Sequence, residues 1–248
     1  MPYAENYEKI RTYLLLADMG CPVMRSAVIA LDETIDSALT CRLRQYFQSE
    51  QATVRYQYAR PCSHPVKGGN RCELSPEALR LFQQKDALLW LMEPIDRLRN
   101  EYGINLYFHN RQCIAEIVGK GYDVSDLNRG QAVPQETILS ELPVRLGLYC
   151  EWWKFLRFSF DFQSYHALQS DRLRKLREMK YSVGYEIFDD AYQPLPMEYL
   201  EKLLGYISAI SDRMGYGDFC VSCTLIEGKF IFWDMQTPDG KKKIYGVG

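Results

Sequence analysis

The stretch that most constrains the fold lies near the end of this 248-residue chain: Asp218-Phe-Cys-Val-Ser-Cys-Thr-Leu-Ile-Glu-Gly-Lys-Phe-Ile-Phe-Trp-Asp-Met-Gln-Thr-Pro-Asp-Gly240. Phe219 to Ile226 is rich in apolar and β-branched residues, Glu227-Gly228-Lys229 offers a turn, and Phe230 to Trp233 is a second apolar run. That pattern predicts two antiparallel strands around a tight connection. Residues two apart on a strand share a face, so Asp234 and Gln236 are expected to point the same way, and the pairing is expected to bring Asp218 within their reach. Hard oxygen ligands of this kind suit Mg²⁺, which takes one or two carboxylates and completes its shell with water and substrate phosphates, so a nucleotide is the natural companion. The other reading is a buried hairpin with polar ends, and the spacing by itself favours it.

Composition bounds the rest. With 47% hydrophobic and 25% charged residues the chain can bury a full core, as one domain or as two closely packed lobes. A formal charge of -2 leaves no general basic field, so nucleic acid is not an expected partner. The eight cysteines are scattered and Met1-Pro-Tyr-Ala-Glu-Asn-Tyr-Glu8 is polar and acidic; the expectation is reduced thiols in a cytoplasm. Cys220 and Cys223 would face opposite sides of a strand, which argues against zinc. No apolar run is long enough to span a bilayer, and no long period recurs.

Along the chain, Tyr7 to Asp18 has helical spacing and stops before Gly20, a short strand follows Cys21-Pro22, and Asp32 to about Gln48 reads as a second helix. Thr53 to Ala59 alternates like a strand and breaks at Arg60-Pro61, before a loop containing Ser63, Lys67, Gly68 and Gly69. Glycines let backbone amides approach phosphates and the cations answer their charge, although these residues by themselves favour a solvated surface loop. Ser75-Pro76-Glu77 opens a third helix. Ala87 to Met92 is a uniformly apolar strand ending at Glu93, and Glu101 begins another. Gln112 to Val118 is a further strand, running into a loop from Gly119 to Gly130 in which Arg129 is the best cation for a carboxylate or phosphate. That loop either binds substrate or closes on itself. The aromatic run from Tyr149 to Phe162 reads as core filling in preference to a stacking surface for bases, Asp171 to Lys180 as a basic helix with a solvated face, and Met197 to Met214 as an amphipathic helix expected to cover the sheet of the terminal hairpin.

Asp218-Phe219, Gly228 and Asp234-Met-Gln236-Thr-Pro-Asp-Gly240, together with Met19-Gly20-Cys21-Pro22-Val23 near the start, resemble the closing and opening segments of the ATP-grasp family. The resemblance implies an α+β, ATP-grasp-like protein of two lobes with nucleotide between them. Residues 1–92 would form the entry helix and smaller lobe, and residues 93–248 the larger lobe with the metal hairpin. It implies ATP and Mg²⁺ as cofactors, with Asp218, Asp234 and Gln236 as metal ligands. Arg60 stands where the family has a lysine, Ser63, Lys67, Gly68 and Gly69 match its phosphate flap, Glu93 its adenine hinge and Glu101 its ribose contact. Arg60 and Arg129 are the expected catalytic cations. The function implied is an Mg-ATP-dependent ligase, or a related phosphoryl-activating transferase, acting on a small carboxylate substrate with an amine among the possible acceptors. The alternative is a nucleotide-binding or scaffold protein that kept the fold without turnover, in whose favour stand Arg60 for lysine and Gln236 for asparagine. The sequence leaves the acceptor and the oligomeric state open.

Overall fold

The computed structural model describes residues 7–58, 68–84, 86–94, 99–109, 112–122, 124–128, 132, 134–141, 154–158, 192–215 and 217–236. It is an α+β protein in which every paired strand is antiparallel. The chain divides into two compact units, one formed by residues 1–15 and 23–96, the other by residues 16–22 and 97–248.

The first unit is built on a four-stranded sheet in the order β1 (Ser26–Ile29), β4 (Ala87–Met92), β2 (Gln51–Tyr58), β3 (Gly68–Glu73). β4 lies between β1 and β2 and is buried along its whole length, which explains its unbroken apolar sequence: a strand covered on both faces has no polar side to alternate with. Leu89 and Leu91 pack with Leu39, Leu43 and Phe47 of helix α2 (Ser37–Phe47) and with Leu79 of helix α3 (Pro76–Phe82). Trp90, of opposite parity, meets Tyr13 of helix α1 (Glu8–Asp18) edge-on, with 5.0 Å between ring centroids. Helix α2 starts later than its amphipathic pattern suggests because Asp36 is the cap, its side chain accepting from the Leu39 amide at 2.8 Å. Helix α3 has the expected Ser75 cap with Pro76 in its first turn.

Gly68 and Gly69, expected in a loop, are instead the first residues of β3, opposite Arg55 and Val54 of β2. Gly68 serves the interstrand approach, since a Cβ there would lie 1.8 Å from the Val54 carbonyl oxygen of β2, whereas one on Gly69 would lie 2.5 Å from the sulfur of Cys72 in the same strand. Two residues later the pairing shifts register, and Arg71 takes a left-handed φ of 55°.

The second unit is a six-stranded sheet in the order β10 (Lys229–Gln236), β9 (Phe219–Ile226), β5 (Asn100–His109), β6 (Gln112–Val118), β7 (Glu136–Glu141), β8 (Lys154–Phe158). Val124–Asn128, read from the sequence as part of a loop, forms the short helix α4, with Leu127 packed on Val118 and Ala132. Helix α5 (Met197–Arg213) buries Leu200, Leu203, Leu204, Ile207 and Ile210, and its Tyr199 and Tyr206 rings lie on Phe230 and Phe232 of β10. Among the described residues no helix is long and apolar enough to cross a membrane. The basic segment at 171–180 and most of the aromatic run at 149–162 fall outside the described residues.

Two alanine substitutions should separate the glycine roles. Gly68→Ala forces the β2–β3 backbones apart and should destabilise by about 1 to 3 kcal/mol. Gly205→Ala, at an exposed position of α5 with nothing within 4 Å of the new Cβ, should stabilise by about 0.5 to 1 kcal/mol. Denaturant midpoints of both variants check the pair.

Candidate functional site

The β9–β10 connection is a two-residue turn in which Glu227 and Gly228 both have positive φ, 49° and 70°, the conformation that suits the right-handed twist of a hairpin. From it the ladder runs Lys229 to Ile226, Phe230 to Leu225, Ile231 to Thr224 and Phe232 to Cys223. There it shifts: Asp234, not Trp233, stands opposite Ser222, and Gln236 opposite Cys220. Trp233 is the extra residue of a β-bulge. Its indole N–H donates to Thr224 Oγ1 at 2.7 Å.

The bulge decides where Asp234 points. Phe230 and Phe232 lie against α5, and with period-two alternation Asp234 would follow them into that core. The added residue lets Met235 take the core position, where it is buried, and turns Asp234 and Gln236 to the opposite face. There they are neighbours, with Gln236 Nε2 directed at Asp234 Oδ2 at 3.4 Å.

That face carries a polar row across five strands. Asp234 pairs with Ser222, Ser222 with Asn105, Asn105 with Glu116 and Glu116 with Thr137. The Ser222 hydroxyl donates to Asn105 Oδ1 at 2.7 Å and the Tyr107 hydroxyl to Glu116 Oε2 at 3.1 Å. Asn105, Glu116 and Thr137 are buried, and among the described residues the Thr137 hydroxyl has no hydrogen-bond partner. A single acid inside the apolar strand Gln112–Val118 was the available signal for Glu116.

Asp218 immediately precedes β9, two residues before Cys220, which stands opposite Gln236, and four before Ser222, which stands opposite Asp234. Glu93 sits in the first unit, its carboxylate held by Arg25 through Nη2 at 2.8 Å and Nε at 3.3 Å. The same guanidinium donates to the Tyr46 and Phe47 carbonyls at the C-terminus of α2, so Arg25 joins a helix end to a strand end. The Glu93 amide is also engaged, donating to the Arg25 carbonyl at 3.0 Å. Arg60, Ser63, Lys67 and Arg129 lie outside the described residues.

Glu101 belongs to a separate cleft of about 400 Å³ within the second unit. Glu101, Tyr102, Gly119 and Lys120 line it, with Gln135, Tyr192 and Gln193. Glu101 Oε1 accepts from the Gly228 amide at 3.2 Å, tying β5 to the hairpin turn. Buried Glu136 accepts from the Tyr192 hydroxyl at 2.7 Å and the Leu195 amide at 2.8 Å, anchoring the segment that leads into α5. Sequence reasoning missed Lys120, Gln135 and Tyr192 because they converge only through the fold.

Burial raises the Cys223 thiol well above its ordinary range, with Cys21 and Cys113 adding to it, and pushes Cys21 up to about 11, so both remain protonated near neutrality. Among the described residues no group of three His, Cys, Asp or Glu side chains is arranged to hold a metal. A divalent site would therefore draw on an amide oxygen, water or a ligand phosphate beside the Asp234 carboxylate, which is a donor set Mg²⁺ accepts.

No family model and no curated protein matches the chain. Solved structures do. It is similar to D-alanyl-alanine synthetase A from Vibrio cholerae at 13% identity, over 95% of this chain and 57% of the other, with a TM-score of 0.44. A D-alanine–D-alanine ligase from Bacillus anthracis complexed with ATP aligns at 9% identity over 91% and 55%, TM-score 0.43. A RiPP-associated ATP-grasp ligase from Chryseobacterium gregarium, in complex with ADP and a leader and core peptide, aligns at 9% identity over 90% and 49%, TM-score 0.40. The chain spans about half the length of these structures.

Thr224→Val tests the bulge. It removes the acceptor of the Trp233 indole and should cost about 1 to 3 kcal/mol, while Ser222→Ala, removing a donor to Asn105 on the same face, leaves the Trp233 contact intact. A blue shift or intensity change of Trp233 emission confined to Thr224→Val is the expected readout.

Proposed function

We propose that the face of β9 and β10 bearing Asp234 and Gln236 holds Mg²⁺ together with nucleotide phosphate, and that the protein is an Mg-ATP-dependent ligase or a related phosphoryl-activating transferase acting on a carboxylate substrate. The observation that carries the proposal is the acid–amide pair turned out of the core by the Trp233 bulge and set side by side. A bulge costs regular pairing, and re-aiming a side chain is a recognised use of one.

In this reading Asp234 supplies the anionic oxygen, and the Gln236 amide turns to offer Oε1 in place of Nε2. When bound, Mg-ATP supplies the phosphoryl group that activates a carboxylate. The chain's own part is to hold phosphates and acceptor in line and to neutralise charge, a task for oxygens and cations rather than a covalent nucleophile. Arg60 and Lys67 are proposed as those cations on the strength of the sequence resemblance, and Arg129 as the best cation of its loop for a carboxylate or phosphate.

One observation favours the second reading, nucleotide binding without turnover: Cys220 stands opposite Gln236 where another carboxylate would complete the metal's charge. Titrating Mg-ATP by calorimetry and measuring phosphate release over a panel of carboxylates and amines separates the two. Saturable binding with acceptor-dependent release is the outcome expected for the ligase, and binding without release selects the second reading. Asp234→Asn should abolish the Mg²⁺-dependent part of ATP binding in a protein that still folds, because an amide brings no charge to the ion. A folded variant with the wild-type thermal shift on adding Mg-ATP would contradict the proposal.

A further inference from the structure

The cleft lined by Glu101 and Lys120 lies on the opposite side of the sheet from the acid–amide pair. Tyr102 pairs with Leu225, and Leu225 with Phe230, which packs on α5. Ser222, opposite Asp234, is three residues from Leu225 and faces the other way. Tyr192, which closes the cleft, bonds to Glu136; Glu136 pairs with Ile117, Ile117 with Ile104 and Ile104 with Cys223, of the same parity as Leu225. The cleft therefore belongs to the α5 face.

Its walls are fixed and its charges are not spent on each other. The Tyr102 hydroxyl donates to the Gln193 carbonyl at 2.9 Å, and the Tyr102 and Tyr192 rings meet edge-on. Gln135 Oε1 accepts from the Gly119 amide at 2.8 Å. Lys120 projects from a turn closed by Tyr122 N to Gly119 O, with Gly121 at φ 100° in the position where such a turn requires glycine. Lys120 is exposed and, among the described residues, has no ion-pair partner. Glu101, whose Oε1 takes the Gly228 amide, lines the same cleft. One anion and one cation thus border a space of about 400 Å³ without neutralising one another, and that volume lies in the range of small-ligand sites, about 300 to 1,000 Å³.

We infer that this cleft is a second ligand site, distinct from the acid–amide face, for a small zwitterion such as a free amino acid or dipeptide. The ligand's carboxylate meets Lys120, its ammonium meets the Glu101 carboxylate, and its side chain lies against the Tyr102 and Tyr192 rings. The aromatic walls offer apolar area while the two charges fix orientation. The site does not draw on the acid–amide pair, since neither Asp234 nor Gln236 lines it.

The test uses the full chain without nucleotide. Free L-amino acids and simple dipeptides are screened at millimolar concentration by thermal shift and NMR titration, each beside its N-acetyl form, which lacks the ammonium, and its C-terminal amide, which lacks the carboxylate. The expected result is that at least one zwitterion binds, that both blocked forms do not, and that Lys120→Ala weakens its affinity about tenfold while melting like wild type. Gly119→Ala, whose Cβ would lie 3.2 Å from the Tyr192 ring, should narrow the cleft and weaken the same ligand. No zwitterion binding, equal binding of the blocked forms, or an unchanged affinity in Lys120→Ala would each overturn the inference. Failure of Mg-ATP to bind would bear only on the other face.

Discussion

The bulge at Trp233 governs which side chains the second unit offers as chemistry and which it buries as core. β10 must satisfy two demands in eight residues: apolar side chains under α5 and polar ones on the reverse face. Period-two alternation from Phe230 and Phe232 would send Asp234 under the helix, where an uncompensated carboxylate is costly. The inserted residue lets Met235 complete the apolar series instead. Everything proposed for the acid–amide pair depends on that one-residue offset, and the Trp233 to Thr224 hydrogen bond holds it in place.

The same alternation organises the rest of the sheet. One face is lined by Phe219, Val221, Cys223 and Leu225 of β9, closed by α5 and by the Tyr192 segment that Glu136 anchors. The other gathers Asp234, Ser222, Asn105, Glu116 and Thr137 into one transverse row. The two faces thus keep the acid–amide pair apart from the Glu101–Lys120 cleft. The first unit shows the contrasting case: β4 is covered on both faces, so it has no polar side and reads as a plain apolar run.

Much of this was legible in the chain. Ala87 to Met92, Gln112 to Val118, the Ser75-Pro76 helix start, the terminal hairpin and the apolar stripe of α5 all carry local signals strong enough to read, because period, cap and turn chemistry act within a few residues. The spacing of Phe230, Phe232 and Met235, two and then three, also encodes the bulge, although an apolar run ending at Trp233 conceals it. What local pattern does not encode is pairing register. Asp218 shares the hairpin with Asp234, yet only the ladder shows that Ser222 and Cys220 are the residues opposite the pair. Gly68 and Gly69 read as part of a loop from composition but open a strand, and at Gly68 the lack of a Cβ serves the close approach of β3 to β2. The Glu101–Lys120 cleft, assembled from β5, the turn after β6 and the residues before α5, has no local signature.

Electron paramagnetic resonance of Mn²⁺ in place of Mg²⁺, titrated with the protein and ATP, tests the central claim most directly because it reports metal held by protein and nucleotide together. With the acid–amide pair as the metal site, the wild-type protein should show a broadened bound-metal spectrum that Asp234→Asn loses while remaining folded. An identical bound spectrum in wild type and Asp234→Asn would contradict the account.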